Sequence, residues 1–199
     1  MRVRRWPLLV IAAVAAVLVY GGMRAINARP FPADTTPEGA YLRIAFDLGE
    51  HRPRDIFPYL ETEAQWATFT IRDARKQACD RVRASYPPEE QKAPLASWGE
   101  LAAAPDGPDA FAVLAARRGW IARLERDLSG IAGVDVQGER ATVVTGRGTR
   151  YAFRRRDNGI WGLTLFTAEL DAEAERASRD LDVVERAARD YDGARAAGR

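Results

Sequence analysis

The chain has 199 residues, 47% of them hydrophobic and 29% charged, and a formal net charge of +2. These are the fractions of a globular chain, and the length suits one domain plus an appended segment. Arg2, Arg4, Arg5, Arg24 and Arg29 against Asp34 place +4 on residues 1–36, leaving the rest slightly acidic; a duplex binder concentrates positive charge on its folded domain, so nucleic acid is excluded as the expected partner.

Of the 30 basic residues only Lys76 and Lys92 are lysine. With so much alanine beside them, the arginines read as codon bias rather than as selection for phosphate contacts. Cys79 is the only cysteine, so no intramolecular disulfide can form and the core must hold the fold. A lone cysteine on a helix reads first as a small buried apolar group.

The chain opens on "MRVRRWPLLVIAAVAAVLVYGGMR". Trp6 to Met23 is an uncharged run of 18 residues, about 27 Å of helix at 1.5 Å per residue, which spans a bilayer core. Arg2, Arg4 and Arg5 favour a cytoplasmic N-terminus. Trp6 and Tyr20 stand where interfacial aromatics are expected. The rival reading is a cleaved signal, with Val19-Tyr20-Gly21 or Ile26-Asn27-Ala28 as cleavage site; a lipoprotein is excluded because no cysteine follows the run. Residues 1–23 are therefore expected to be a transmembrane anchor or signal segment, with residues 6–23 meeting the membrane. The expected location is a bacterial inner membrane, single-pass, with the domain in the periplasm. Residues 24–36, with Pro30 and Pro32, read as a linker.

The domain begins by rule at "TTPEG". Thr36 can cap, Pro37 suits the first turn and Glu38 complements the helix dipole. Ala40, Tyr41, Ile44, Ala45 and Leu48 form the apolar side, and Gly49 ends the helix. Pro53 starts a short helical turn holding Ile56 and Phe57. A long helix is expected from Leu60 to Ser85, since Leu60, Ala64, Ala67, Ile71, Ala74, Ala78 and Val82 recur at spacings of three and four. Lys76 and Asp80 form an i,i+4 pair on its outer face. Pro87-Pro88 stops it, and "PPEEQKAP" reads as an exposed loop. Two further helices are expected at Asp109–Arg117 and Trp120–Leu128.

From Ile131 the period changes to two, and four strands follow. Gly138-Glu139 turns the first pair and Gly146 to Gly148 the second. Asn158-Gly159 is a strong hairpin signal, expected to form a type I′ turn. In the third strand Tyr151, Phe153 and Arg155 point one way, and Arg150, Ala152, Arg154 and Arg156 the other. The aromatics face the helices. The arginines either form a solvated face paired with carboxylates such as Asp135 and Glu139, or bind an anion through Arg150, Arg154 and Arg156.

The last element is a helix over 167–192 with Thr167 as cap. Leu170, Ala174, Ala177, Leu181, Val184, Ala188 and Tyr191 repeat at heptad spacing. Glu175–Arg179, Asp182–Arg186 and Glu185–Arg189 support its other face. Alanines at three of the seven seam positions permit close approach but bury little area. The seam therefore either packs back on its own domain, against the alanine-rich helix 60–85, or serves a partner or a second copy.

The expected class is α+β: a helical half, a four-stranded antiparallel meander and a long C-terminal amphipathic helix over residues 37–199, preceded by one transmembrane helix. Thr36, Pro37 and Glu38 opening the first helix, and Gly159, Ile160 and Trp161 after the last hairpin, resemble the nuclear-transport-factor-like (SnoaL-like) superfamily of cone-shaped α+β domains across residues 37–166. The central helix and the C-terminal helix depart from it in length. That superfamily includes isomerases, dehydratases and binding modules, so the resemblance implies a cone and leaves the activity open.

Chemistry-bearing motifs are few. His51 is the only histidine, which excludes HExxH and any two-histidine metal site. The cluster Asp47, Glu50, His51 and Asp55 reads as a loop. Neither G-x-x-x-x-G-K-[ST] nor G-x-G-x-x-G occurs, so no nucleotide cofactor is expected. Glu61 and Glu63 would point to different sides of a helix and make a poor acid–base pair. No catalytic residue and no metal ligand is assigned. The reading is an anchored binding or scaffold module meeting a protein or an anionic envelope polymer. The alternatives are a cone-fold enzyme with an acid/base in its cavity, and an assembly protein using the C-terminal helix.

Overall fold

A computed structural model describes residues 32–198. The apolar run at 6–23 and the linker up to residue 31 lie outside the described residues. No helix among the described residues is long and apolar enough to cross a membrane. The described part is α+β: six helices, a 3₁₀ turn and one four-stranded antiparallel sheet of order β1-β2-β3-β4.

Helix α1 is Pro37–Gly49. Thr36 caps it as expected, its hydroxyl accepting from Gly39 N at 3.1 Å, and Tyr41, Ile44 and Leu48 are buried. The left-handed residue beyond its end is His51 (φ 55°), not Gly49. The 3₁₀ turn Pro53–Tyr59 buries Ile56 and Phe57. Helix α2 is Thr62–Ser85, starting two residues later than the apolar spacing implies. Leu60 is drawn off as extended chain, bridging in parallel to Leu163, and Glu61 N donates to Leu163 O at 3.1 Å.

The segment expected as a loop is helix α3, Pro88–Ala102. Tyr86 is extended (ψ 149°) and ends α2, while Pro88 occupies the first turn of α3, where its missing N–H costs nothing. Glu89 and Glu90 in that turn complement the dipole. The two prolines therefore separate two helices. Helices α4 (Gly107–Arg117) and α5 (Trp120–Asp127) follow, near the expected bounds.

The strands are β1 (Ile131–Gln137), β2 (Arg140–Thr145), β3 (Arg150–Arg155) and β4 (Trp161–Leu163). Gly138 (φ 62°) turns the first pair. At the last hairpin only Gly159 has positive φ (83°) and Asn158 does not, so the expected type I′ turn is absent. Gly159 N bonds to Arg156 O at 2.8 Å and Arg156 N to Ile160 O at 2.9 Å, the pattern of a three-residue loop closed by a glycine bulge. Asn158 contributes through its side chain, Oδ1 accepting from Ile160 N at 3.1 Å.

The inner face of the sheet carries Ala141, Val143, Tyr151, Phe153 and Leu163, all buried. Tyr41 covers it, its ring 5.7 Å from that of Tyr151. Trp120 stacks on Phe166 at 4.8 Å and 19°, and Phe111 packs against both.

Helix α6 is Thr167–Ala197, 31 residues, longer than expected. It lies along α2. Of the seven seam residues, Leu170, Ala174, Ala177, Val184 and Ala188 are buried and Leu181 and Tyr191 are half-buried. The burial favours the intramolecular alternative for the seam over a partner: alanine faces on two helices fit at short range, so most of the area is covered within the chain. Glu175–Arg179 pairs at 3.4 Å, but Glu185 reaches Arg81 on α2 instead of Arg189, and Asp80 pairs with Arg83 rather than Lys76. Cys79 on α2 is fully buried, and burial pushes its thiol pKa up.

Candidate functional site

The alternation of β3 sends Tyr151 and Phe153 inward as expected, and it sends the arginines to several different places. Arg154 Nη1 donates to Glu61 Oε1 at 2.9 Å and to Glu63 Oε1 at 3.1 Å. Arg156 donates from Nε to the Thr62 hydroxyl (3.2 Å), from Nη1 to Pro58 O (2.7 Å) and from Nη2 to Gln65 Oε1 (3.1 Å). Burial pulls its pKa down. Arg150 is exposed and makes no ion pair among the described residues. Two of the three candidate anion-binding arginines are thus engaged by the start of α2, and the three are not gathered around one pocket. The partners of Arg154 and Arg156 are the side chains of Glu61, Glu63, Thr62 and Gln65 and the Pro58 carbonyl rather than Asp135 and Glu139.

Glu61 is the pivot of this arrangement. Only 6% of it is exposed, and its other oxygen accepts from the Thr167 hydroxyl at 2.7 Å. Thr167 is therefore a tie between α6 and Glu61 and not a cap, a position that Phe166 takes without a side-chain bond. Glu61 lies outside the helix, in extended backbone (ψ 151°), so it and Glu63 converge on one guanidinium instead of diverging as helical spacing implies. Opposite Arg154 in register stands Gly162. A Cβ there would lie 2.7 Å from Glu61 Cα and 2.8 Å from Leu60 O, so only glycine admits this close crossing.

The α2–α6 contact has its own buried charge. Arg75 is 3% exposed; it donates to Asp180 at 2.6 Å, lies 3.5 Å from Glu173 and stacks 4.7 Å from the centre of the Trp98 ring. The residues around His51 do not form a site. Asp47 and Asp55 pair with Arg52, and His51 is 88% exposed with only Glu125 near it, at 3.9 Å. Among the described residues no cluster of His, Cys, Asp and Glu could hold a metal ion.

Several surface depressions remain among the described residues, one of about 370 Å³ lying between Asp47, Arg54, Asp55 and Tyr59. On the outer face of the sheet a depression of about 350 Å³ lies between Arg140 and Arg154, bounded by Thr142, Thr164 and Glu61. Arg140 and Arg154 are opposite in register, a like-charge pair that Glu61 and Glu63 offset. Another depression of about 490 Å³ lies between Tyr86, Pro88 and Tyr191. A groove of about 660 Å³ runs between the N-terminal halves of α2 and α6. Ala67, Ala174 and Ser178 form its floor, and Glu63, Asp171, Glu175 and Arg179 its rim. Trp66 stands in it with 67% of its surface exposed.

Sequence reasoning did not single out Trp66. The available signal was its phase: it falls between Ala64 and Ala67, off the apolar stripe of α2, where an indole has no core to enter. No protein-family model matches the chain, and no curated protein or solved structure matches it either.

Proposed function

We propose that the chain is an inner-membrane-anchored, envelope-exposed binding or scaffold module, held by residues 6–23 with its N-terminus cytoplasmic and its α+β domain in the periplasm. The observation that carries the binding reading is the contrast between interior and surface. The inner face of the sheet, where a cone-fold enzyme would place an acid/base in a cavity, is filled by Tyr41, Tyr151, Phe153 and Leu163. The groove between α2 and α6 on the outside instead presents an exposed tryptophan among charged side chains.

The resemblance to the cone-shaped superfamily enters this reading as support for a module. Trp161 of the second motif binds the two residues just before the first: its indole N–H donates to Thr35 O at 3.1 Å, and its backbone N to Asp34 O at 3.3 Å. The assembly alternative is weaker, because the α6 seam is already covered by α2.

Spheroplast proteolysis with membrane fractionation tests the proposal. The domain should be digested from outside, and the undigested chain should stay in the pellet after washing with carbonate. Protection of the domain, or its release as a soluble species, refutes the anchor.

A further inference from the structure

We propose that the α2–α6 groove is a docking site for an arginine- or lysine-bearing segment of a partner protein, with Trp66 as the platform for the cationic side chain. The proposal rests on the module reading above and names the chemistry of the partner.

Trp66 is the most exposed large apolar side chain among the described residues. Indole is the best aromatic acceptor for a guanidinium or ammonium lying over its face, and exposed tryptophan is characteristic of binding hot spots. The rim selects the charge. Glu63, Asp171 and Glu175 supply three carboxylates against Arg179. Asp171 makes no ion pair among the described residues. The Glu175–Arg179 pair is 3.4 Å apart with both side chains largely in solvent, so an incoming cation can displace it at little cost. Glu63 already shares Arg154 with Glu61 and contributes mainly field.

The floor supplies room. Ala67 and Ala174 are small and buried, the Ser178 hydroxyl is satisfied by Ala174 O at 3.0 Å, and, apart from the rim, the exposed Thr70 is the only other side chain lining the space beside the indole among the described residues. The groove is shallow and open, and its volume of about 660 Å³ is larger than one ion requires. Anionic ligands are disfavoured by the rim. A basic peptide satisfies both features at once, stacking one side chain on Trp66 while its neighbours meet Asp171 and Glu175.

The probe is a hexa-arginine peptide, titrated calorimetrically into the full-length chain in non-ionic detergent, at low and at physiological ionic strength, with hexaglutamate as control. Hexa-arginine should bind, more tightly at low salt, and hexaglutamate should not. Trp66→Ala should weaken binding roughly two- to five-fold, the range for a cation over an exposed ring, with Trp66→Phe between the two and the melting temperature unchanged. Asp171→Asn with Glu175→Gln should weaken it further. No binding at low salt, or equal affinity for Trp66→Ala and the parent chain, overturns the cation site. Either failure leaves the module reading standing, since spheroplast topology tests that separately.

Discussion

Replacing Gly162 by alanine tests whether the crossing of Leu60–Glu61 over β4 organises the arginine hairpin. The added Cβ would meet Glu61 Cα at 2.7 Å, Glu61 N at 2.8 Å and Leu60 O at 2.8 Å. All three are backbone atoms, so no flexible side chain can yield. Overpacking of this kind costs about 1–3 kcal/mol. The displaced segment also strains the Glu61 N–Leu163 O bond, worth about 1 kcal/mol, and moves the buried Glu61 carboxylate away from Arg154 and Thr167. A total of about 2–4 kcal/mol follows. At about 2–4 °C per kcal/mol for a domain of this size, the melting temperature should fall on the order of 10 °C. The assay is thermal and urea unfolding of the full-length chain in non-ionic detergent. Gly133→Ala is the control: Gly133 is also a strand glycine, but its added Cβ meets nothing within 4 Å, so a change within about 0.5 kcal/mol is expected. If Gly162→Ala melts with the parent chain, the segment is free to shift and the pivot role of Glu61 is wrong.

Two further outcomes follow from buried groups. Arg75→Ala should cost about 3 kcal/mol, the low end for breaking a buried pair because Asp180 keeps some solvent and Glu173 keeps Arg118 at 2.6 Å. Arg75→Lys should recover only part of this, lacking the planar fork that reaches Asp180 while stacking on Trp98, and full recovery by lysine in urea unfolding would contradict that geometry. The Tyr151 hydroxyl is buried without a hydrogen-bond partner, and its pKa is pushed up to about 12, first by burial and then by Asp127 and Tyr41. Its folded pKa is raised above the unfolded value near 10, so the stability it contributes is complete below about pH 10 and is lost as pH rises toward about pH 12. Tyr151→Phe should therefore stabilise the domain by about 1 kcal/mol at neutral pH and flatten the alkaline fall of the urea midpoint, and a destabilised variant with an unchanged alkaline arm would refute both.

Local signals were legible where one residue decides one backbone state. Thr36-Pro37-Glu38 started α1 because capping, a fixed φ and the dipole all act within a single turn. The seam of α6 was legible because alanine and leucine spacing is a property of one helix, and the alanine content favoured a close intramolecular partner. Pro87-Pro88 is ambiguous because the same two residues end one helix and start another, and the stacking of Trp98 on Arg75 then ties the second helix to α2. Asn158-Gly159 marked the hairpin correctly and the turn type wrongly, since Asn158 could offer either a positive φ or a side-chain acceptor.

The arginine strand shows where such reading stops. Period two fixed which residues of β3 face the core, and that much was visible in "RYAFRRR". The partners of Arg154 lie 93 and 91 residues away, and they are in reach only because Leu60 leaves its helical phase to bridge Leu163. Helical spacing makes Glu61 and Glu63 divergent, whereas the non-helical backbone at Glu61 makes them converge on Arg154. Trp66 was overlooked for a related reason. On the sequence it is one apolar residue out of phase, and its meaning appears only when α6 lies alongside and places Asp171 and Glu175 beside it. The candidate site is built from residues whose own segments specify helix and nothing more, so its chemistry exists only at the level of the packed pair of helices.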